Sequence, residues 1–167
     1  MDKVLVTGAS GFIGQVLVKH LLTKNCHVRV LVRNKAKASC LPIGIELFFG
    51  DLAKPDSLLG LCNGIDTIFH LAGHAHAWSE KDELASKKHR AINLEGTQAL
   101  LAEAELASVA RFVYFSTVKA VADSPVETDE SFLNMPNSAY GLAKREAEKY
   151  VIASKIPHVC VLRPTLV

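Results

Sequence analysis

Lys3-Val4-Leu5-Val6-Thr7-Gly8-Ala9-Ser10-Gly11-Phe12-Ile13-Gly14 is the stretch whose reading decides the fold. An apolar, strand-like run breaks into glycines and then opens a helical period, with Ile13, Val16, Leu17 and Leu21 forming one apolar stripe. Such a junction presents backbone N–H groups to a phosphate, with the positive end of the helix dipole aimed at the anion. Gly8 permits the tight turn, Gly11 lets a pyrophosphate approach without meeting a Cβ, and Gly14 lets the helix pack closely on the sheet. The spacing is Gly-x-x-Gly-x-x-Gly, and taken alone it also fits a glycine-rich turn with no ligand.

Downstream, β-branched apolar runs alternate with helical periods. Strands are predicted at Val4–Val6, Val28–Val32, Ile45–Phe49, Ile65–Leu71, Phe112–Phe115 and Val159–Leu162. A short helix is predicted from Asp56 to Leu61, and long ones from Lys87 to Leu106 and from Ala139 to Ala153. This alternation predicts an α/β fold: a parallel sheet wound on both faces, three layers α/β/α, in one dinucleotide-binding domain over residues 1–167. The polar stretch Asp123–Asn137, with Pro125 and Pro136, reads as a loop over the active site.

Composition excludes several classes. The chain has 19 Lys and Arg against 17 Asp and Glu, and a net charge of +2 suggests neither nucleic acid nor a membrane surface as partner. No run approaches the ~20 apolar residues of a membrane span. The N-terminus enters a strand at once, leaving no room for a signal peptide, so a cytoplasmic location is expected. Cys26, Cys40, Cys62 and Cys160 lack metal-like pairing, and Cys160, within an apolar strand, reads as a buried small hydrophobe. His70, His74 and His76 have no acidic or thiolate companion, so no metal is expected.

The chemistry-bearing pattern lies towards the C-terminus. Tyr140-Gly141-Leu142-Ala143-Lys144 puts a phenol and an ammonium on one helix face. A lysine near a tyrosine, and near a cofactor's positive ring, favours the phenolate and makes the tyrosine a proton acceptor. Phe112-Val113-Tyr114-Phe115 reads as a buried strand ending in Ser116-Thr117, and strand C-terminal ends are where open α/β sheets place their sites.

Together with Gly50-Asp51-Leu52, His70-Leu71-Ala72-Gly73, Asn93-x-x-Gly96-Thr97 and Arg163-Pro164, these motifs make the whole chain resemble the extended short-chain dehydrogenase/reductases, specifically the NAD-dependent epimerase/dehydratase family. The resemblance implies a Rossmann fold with NAD or NADP held by Gly8, Ser10, Gly11, Phe12, Ile13 and Gly14. It adds Arg33 near the adenosine ribose, Asp51 and Leu52 at the adenine, and Leu71, Ala72 and Gly73 under the nicotinamide ribose. Asn93 would brace the active-site helix and hold a water near Lys144. Thr117 takes the catalytic hydroxyl position, with Ser116 supporting it and Tyr140 and Lys144 as catalytic and cofactor-binding groups. Where NAD-preferring members carry an acid, this chain has Arg33, followed by Asn34, Lys35 and Lys37, which favours a 2′-phosphate and hence NADP. The dehydratases' Asp-Glu after the threonine is Val118-Lys119 here, which disfavours dehydration.

The activity implied for the intact protein is epimerisation of a nucleotide sugar, most readily at C4. A ketoreductase of the dihydroflavonol-reductase or hydroxysteroid-dehydrogenase type shares every motif. A non-catalytic NmrA-like sensor is the alternative from another class, and retention of Tyr140 and Lys144 argues against it. Relatives continue past Arg163-Pro164 into a substrate domain, so such a domain is expected to be missing. A homodimer through the two long helices is also expected, with Ala139, Ala143, Ala147 and Val151 offering either a small-residue face for a partner or the face on the sheet.

Overall fold

The computed structural model describes residues 2–75, 83–121, 129–132 and 134–165. His76 and, of the segment 123–137, residues 123–128 and 133 lie outside the described residues. Six strands form one parallel sheet: β1 (Lys3–Thr7), β2 (His27–Val32), β3 (Glu46–Phe49), β4 (Thr67–His70), β5 (Arg111–Phe115) and β6 (His158–Leu162). Their order is β3-β2-β1-β4-β5-β6, the doubly wound Rossmann arrangement, and it reverses between β1 and β4. All six expected strands form: β1, β2, β5 and β6 begin one residue earlier, whereas β3 loses one residue and β4 loses residues at both ends.

Alternation along the strands sends successive side chains to two separate cores. Leu5, Ile68, Phe112 and Tyr114 face α4 (Gly96–Leu106) and α5 (Ala139–Ala153). Val4, Val6, Val28, Val30 and Val32 face α1 (Phe12–Thr23), which contributes Val18 and Leu21. The expected stripe on α1 is therefore rotated: Gly14, Val18 and Leu21 are buried, whereas Val16 is exposed. α2 is a single turn, Lys35–Ala38, started by Asn34, whose side chain accepts from the Lys37 N–H at 3.1 Å.

The predicted long helix Lys87–Leu106 is three pieces. α3 (Glu83–His89) runs into a π turn over Arg90–Glu95 and then into α4. The widened turn carries Asn93, a residue that prefers bonding to local backbone over continuing a regular helix. α5 has its predicted bounds and is capped by Ser138, whose hydroxyl accepts from the Gly141 N–H at 3.0 Å. Its Ala147 and Val151 are buried in the core on the sheet side, which takes the second of the two roles expected of them, and Ala143 is buried as well.

Cys160 is exposed, contrary to expectation. On the edge strand β6, Val159 and Val161 point into the α4/α5 core, and the intervening Cys160 points to the other face. There, among the described residues, α1 covers β1, β2 and β4 but contributes no core against β5 or β6. Cys62 is the buried thiol, its pKa pushed up to about 12 by burial, with Glu103 adding to the effect.

Candidate functional site

The site lies at the C-terminal ends of β1 and β4, where the strand order reverses. Gly8 has φ +73°, and a Cβ there would sit 2.6 Å from the Ala72 nitrogen, so the glycine turn closes directly onto the end of β4. A Cβ on Gly14 would fall 2.2 Å from the Gly8 carbonyl oxygen, so at Gly14 the helix packs directly on the turn. The first turn of α1 has no side-chain cap and no acidic residue, which leaves its N–H groups open to an anion.

Two cavities meet at this turn, sharing Gly8, Gly11, Leu71 and Gly73 in their walls. One, of about 260 Å³, is lined further by Ser10, Arg33, Lys37, Asp51, Leu52 and Ala72. The other, of about 390 Å³, is lined by Phe12, Ile13, Gly14, Ser116, Thr117, Lys119, Tyr140 and Lys144. Every expected site residue except Asn93 lines one of the two. Asp51 also holds its own turn, accepting from the Ala53 N–H at 3.0 Å.

Asn93 is buried and its carboxamide is occupied by one residue. It accepts from the His74 N–H at 2.7 Å and donates to the His74 carbonyl at 2.9 Å. It thereby braces the segment leaving β4. His89, at the end of α3, donates from Nδ1 to the same carbonyl at 2.9 Å and packs its ring 5.5 Å from that of Tyr140.

Beneath the glycine turn runs a buried hydrogen-bonded line. The Ala72 N–H donates to Thr7 Oγ1 at 3.1 Å, and Thr97 Oγ1 donates to the Asn93 carbonyl at 2.8 Å. Between them His70 contacts Thr7 Oγ1 through Nδ1 at 2.6 Å and Thr97 Oγ1 through Nε2 at 2.9 Å. Because Thr97 has already given its proton, it must accept from Nε2–H, which leaves Nδ1 to accept from Thr7. Burial lowers the His70 pKa to about 3, with Lys144 adding to the effect, so the ring is neutral and structural.

Lys144 is only 3% exposed, with Nζ donating to the Phe115 carbonyl at 2.6 Å and lying 4.2 Å from the centre of the Tyr114 ring. Burial lowers its pKa to about 7, and Glu148 opposes that drop. Burial also raises the Tyr140 phenol above its ordinary value, while the Thr117 hydroxyl pulls it down. The lowered phenol expected from the sequence is thus not a property of the chain by itself. The lysine ammonium makes its contacts with the Phe115 carbonyl and the Tyr114 ring instead.

Two buried hydroxyls, Ser116 Oγ and Tyr114 Oη, have no hydrogen bond of good geometry among the described residues, although Thr97 lies close enough to Tyr114 to oppose the effect of burial. Ser116 lines the second cavity, where an unpaired buried hydroxyl invites a ligand or water. Sequence reasoning missed Lys119 as a lining residue and His89, and it also missed the pair Glu148–Arg163, bidentate at 2.9 and 2.7 Å. The one available signal was Glu148, four residues after Lys144 on the same helix face. The arrangement can hold an elongated anionic ligand across both cavities and exchange a proton at Tyr140.

The family model described as NAD dependent epimerase/dehydratase family matches residues 4–167. The UDP-glucose 4-epimerase of Vibrio cholerae is 32% identical over 174 residues, covering 98% of this chain and 51% of that protein. The 3 beta-hydroxysteroid dehydrogenase/Delta 5-->4-isomerase of Mycobacterium tuberculosis is 33% identical, covering 99% of this chain and 47% of that protein. Among solved structures, the Thermus thermophilus UDP-glucose 4-epimerase in complex with NAD superposes with a TM-score of 0.82 at 25% identity, covering 96% of this chain and 54% of that one. The chain spans about half the length of the curated relatives it matches. On these grounds the chain belongs to the NAD-dependent epimerase/dehydratase family.

Proposed function

We propose that the chain is the cofactor-binding part of a nucleotide-sugar epimerase acting at C4, and that a C-terminal substrate domain supplies the second wall of the site. The observation that carries this reading is the convergence of Thr117, Tyr140 and Lys144 on one cavity that abuts the glycine turn. The uncapped α1 N-terminus and the unpaired Ser116 hydroxyl fit a nicotinamide dinucleotide, with its pyrophosphate at Gly8–Gly14. Arg33, Lys37, Asp51 and Leu52 would hold the adenosine end, and Leu71, Ala72, Gly73 and Ser116 the nicotinamide end. Bound there, the cofactor supplies reversible hydride acceptance.

The chain's own groups do the acid–base work. Tyr140 Oη, as phenolate, takes the sugar hydroxyl proton and later returns it. Thr117 donates a hydrogen bond to the same reacting oxygen. Lys144 presents a cation to the ribose and to the phenol. Val118 and Lys119 offer no acid–base pair for water elimination. The names of the Vibrio and Thermus relatives support C4 epimerisation, while the similarly identical mycobacterial hydroxysteroid dehydrogenase keeps alcohol–ketone oxidoreduction as the second reading.

The test is interconversion of UDP-glucose and UDP-galactose by the chain extended through its substrate domain. Tyr140→Phe is expected to lower kcat by ~10²–10⁴-fold. Loss of alignment can cost ~7–11 kcal/mol of barrier, so the 167-residue chain alone should bind dinucleotide yet barely turn over. Reduction of a ketone without epimerisation would favour the second reading, and unchanged activity of Tyr140→Phe would remove Tyr140 from the mechanism.

A further inference from the structure

Tyr114, on β5, is fully buried in the core that the sheet shares with α4 and α5. The parallel register sets it beside His70 of β4, and the two rings stack with centroids 5.5 Å apart and planes at 29°. From α5, Lys144 reaches over the Tyr114 ring, its Nζ 4.2 Å from the centroid. Phe115, the next residue of β5, accepts from the same ammonium at 2.6 Å. Two consecutive residues of one strand therefore seat the cation, one with a carbonyl and the other with an aromatic face.

A lysine ammonium carries three N–H donors, and Lys144 is almost wholly out of water. Among the described residues its nitrogen makes one hydrogen bond, the one to Phe115, so its burial as a cation would be costly without a further partner. The face of an aromatic ring is such a partner, because its quadrupole presents negative potential to a cation within about 6 Å of the centroid. No other neighbour takes that place. His70 on β4 is neutral, and burial holds the Tyr140 proton on α5. Glu148, one turn along α5, is gripped by Arg163 at both oxygens and has Arg145 at 3.6 Å. Lys119 lines the cavity from the turn after Thr117 as a like charge, and His89 of α3 stands against Tyr140.

We propose that Tyr114 is a positioning residue for Lys144: its ring face holds the ammonium against the Phe115 carbonyl and leaves a third N–H for the cavity that Lys144 lines with Tyr140. The proposal rests on the reading of Lys144 given above. The ring face carries the role and the hydroxyl does not, so Tyr114→Phe should leave the lysine as it is. A ring that merely filled the core would be indifferent to the electron density on its face, whereas a ring that binds a cation is governed by it.

The test uses the 167-residue chain with 13Cε-labelled lysine, the Lys144 resonance being assigned by its loss in Lys144→Met. Its NMR titration is followed in the wild type, in Tyr114→Phe and in Tyr114→trifluorophenylalanine, which nearly keeps the ring's shape and drains its face of electron density. Tyr114→Leu, which removes the ring, runs beside them in case the fluorinated chain fails to fold. In whichever of these two folds, Lys144 is expected to lose about threefold or more in proton affinity relative to Tyr114→Phe. A smaller loss, or a gain, overturns the proposal, as does a Tyr114→Phe that itself departs from wild type by that much. Calorimetric titration with NAD and NADP at pH 7 separates the two layers. A moved lysine with weakened dinucleotide binding supports both. A moved lysine with unchanged binding supports the positioning role and overturns the assignment of Lys144 to the ribose.

Discussion

Arg33 directly follows β2 and lines the smaller cavity together with Lys37, one turn further on. If the adenosine ribose lies there as proposed, two cations at its edge suit a 2′-phosphate. Arg33→Asp is therefore expected to weaken NADP by about tenfold or more while sparing or improving NAD. Calorimetric titration of both dinucleotides checks this, and a wild type that prefers NAD would contradict it. At this scale the gathering of Thr117, Tyr140 and Lys144 was legible, because helical spacing and a strand-end hydroxyl are local signals. The clasp of Asn93 on His74 and the pairing of Glu148 with Arg163 were not, since each joins residues 15 to 19 apart through the fold. The exposure of Cys160 was also hidden, because strand composition does not say which face a helix will cover.

Among the elements, the contact between α5 and the turn Val118–Ala120 sets the distance between the tyrosine and the threonine hydroxyl. A Cβ on Gly141 would lie 2.2 Å from the Lys119 carbonyl oxygen and 2.8 Å from Pro136 Cβ. Gly141→Ala must push that turn away, at a cost of about 1–3 kcal/mol in stability, read by denaturant titration. In the extended protein it should lower kcat more than it raises KM, because Thr117 and Tyr140 no longer meet the same oxygen. The strands and the bounds of α5 followed from periodicity and turn residues, whereas the single-turn α2 carries no such period. The π turn escaped that reading, since apolar spacing is nearly the same on either side of one extra residue.

Across the whole molecule, β1 and β4 are tied through His70, whose neutral ring links Thr7 to Thr97. Its folded pKa of about 3 lies below the ordinary histidine value, so the unfolded chain binds the extra proton first. Stability should therefore fall as pH drops from ~6.5 towards ~3, by an amount on the order of a few kcal/mol. His70→Asn should flatten that dependence in urea titrations at pH 7, 5 and 4, and an equal slope in both proteins would remove His70 as the cause. The bare face of β6, where Cys160 and Leu162 meet solvent, has a calorimetric consequence. Heat capacity on unfolding measures newly wetted apolar surface, and a full complement for 167 residues would give ~2.0–2.5 kcal/mol/K. With one helical layer incomplete among the described residues, part of that surface is wet already. The melting endotherm of this chain should accordingly show a smaller step than its length implies, and any segment that docks on β6 should enlarge the step beyond its own share.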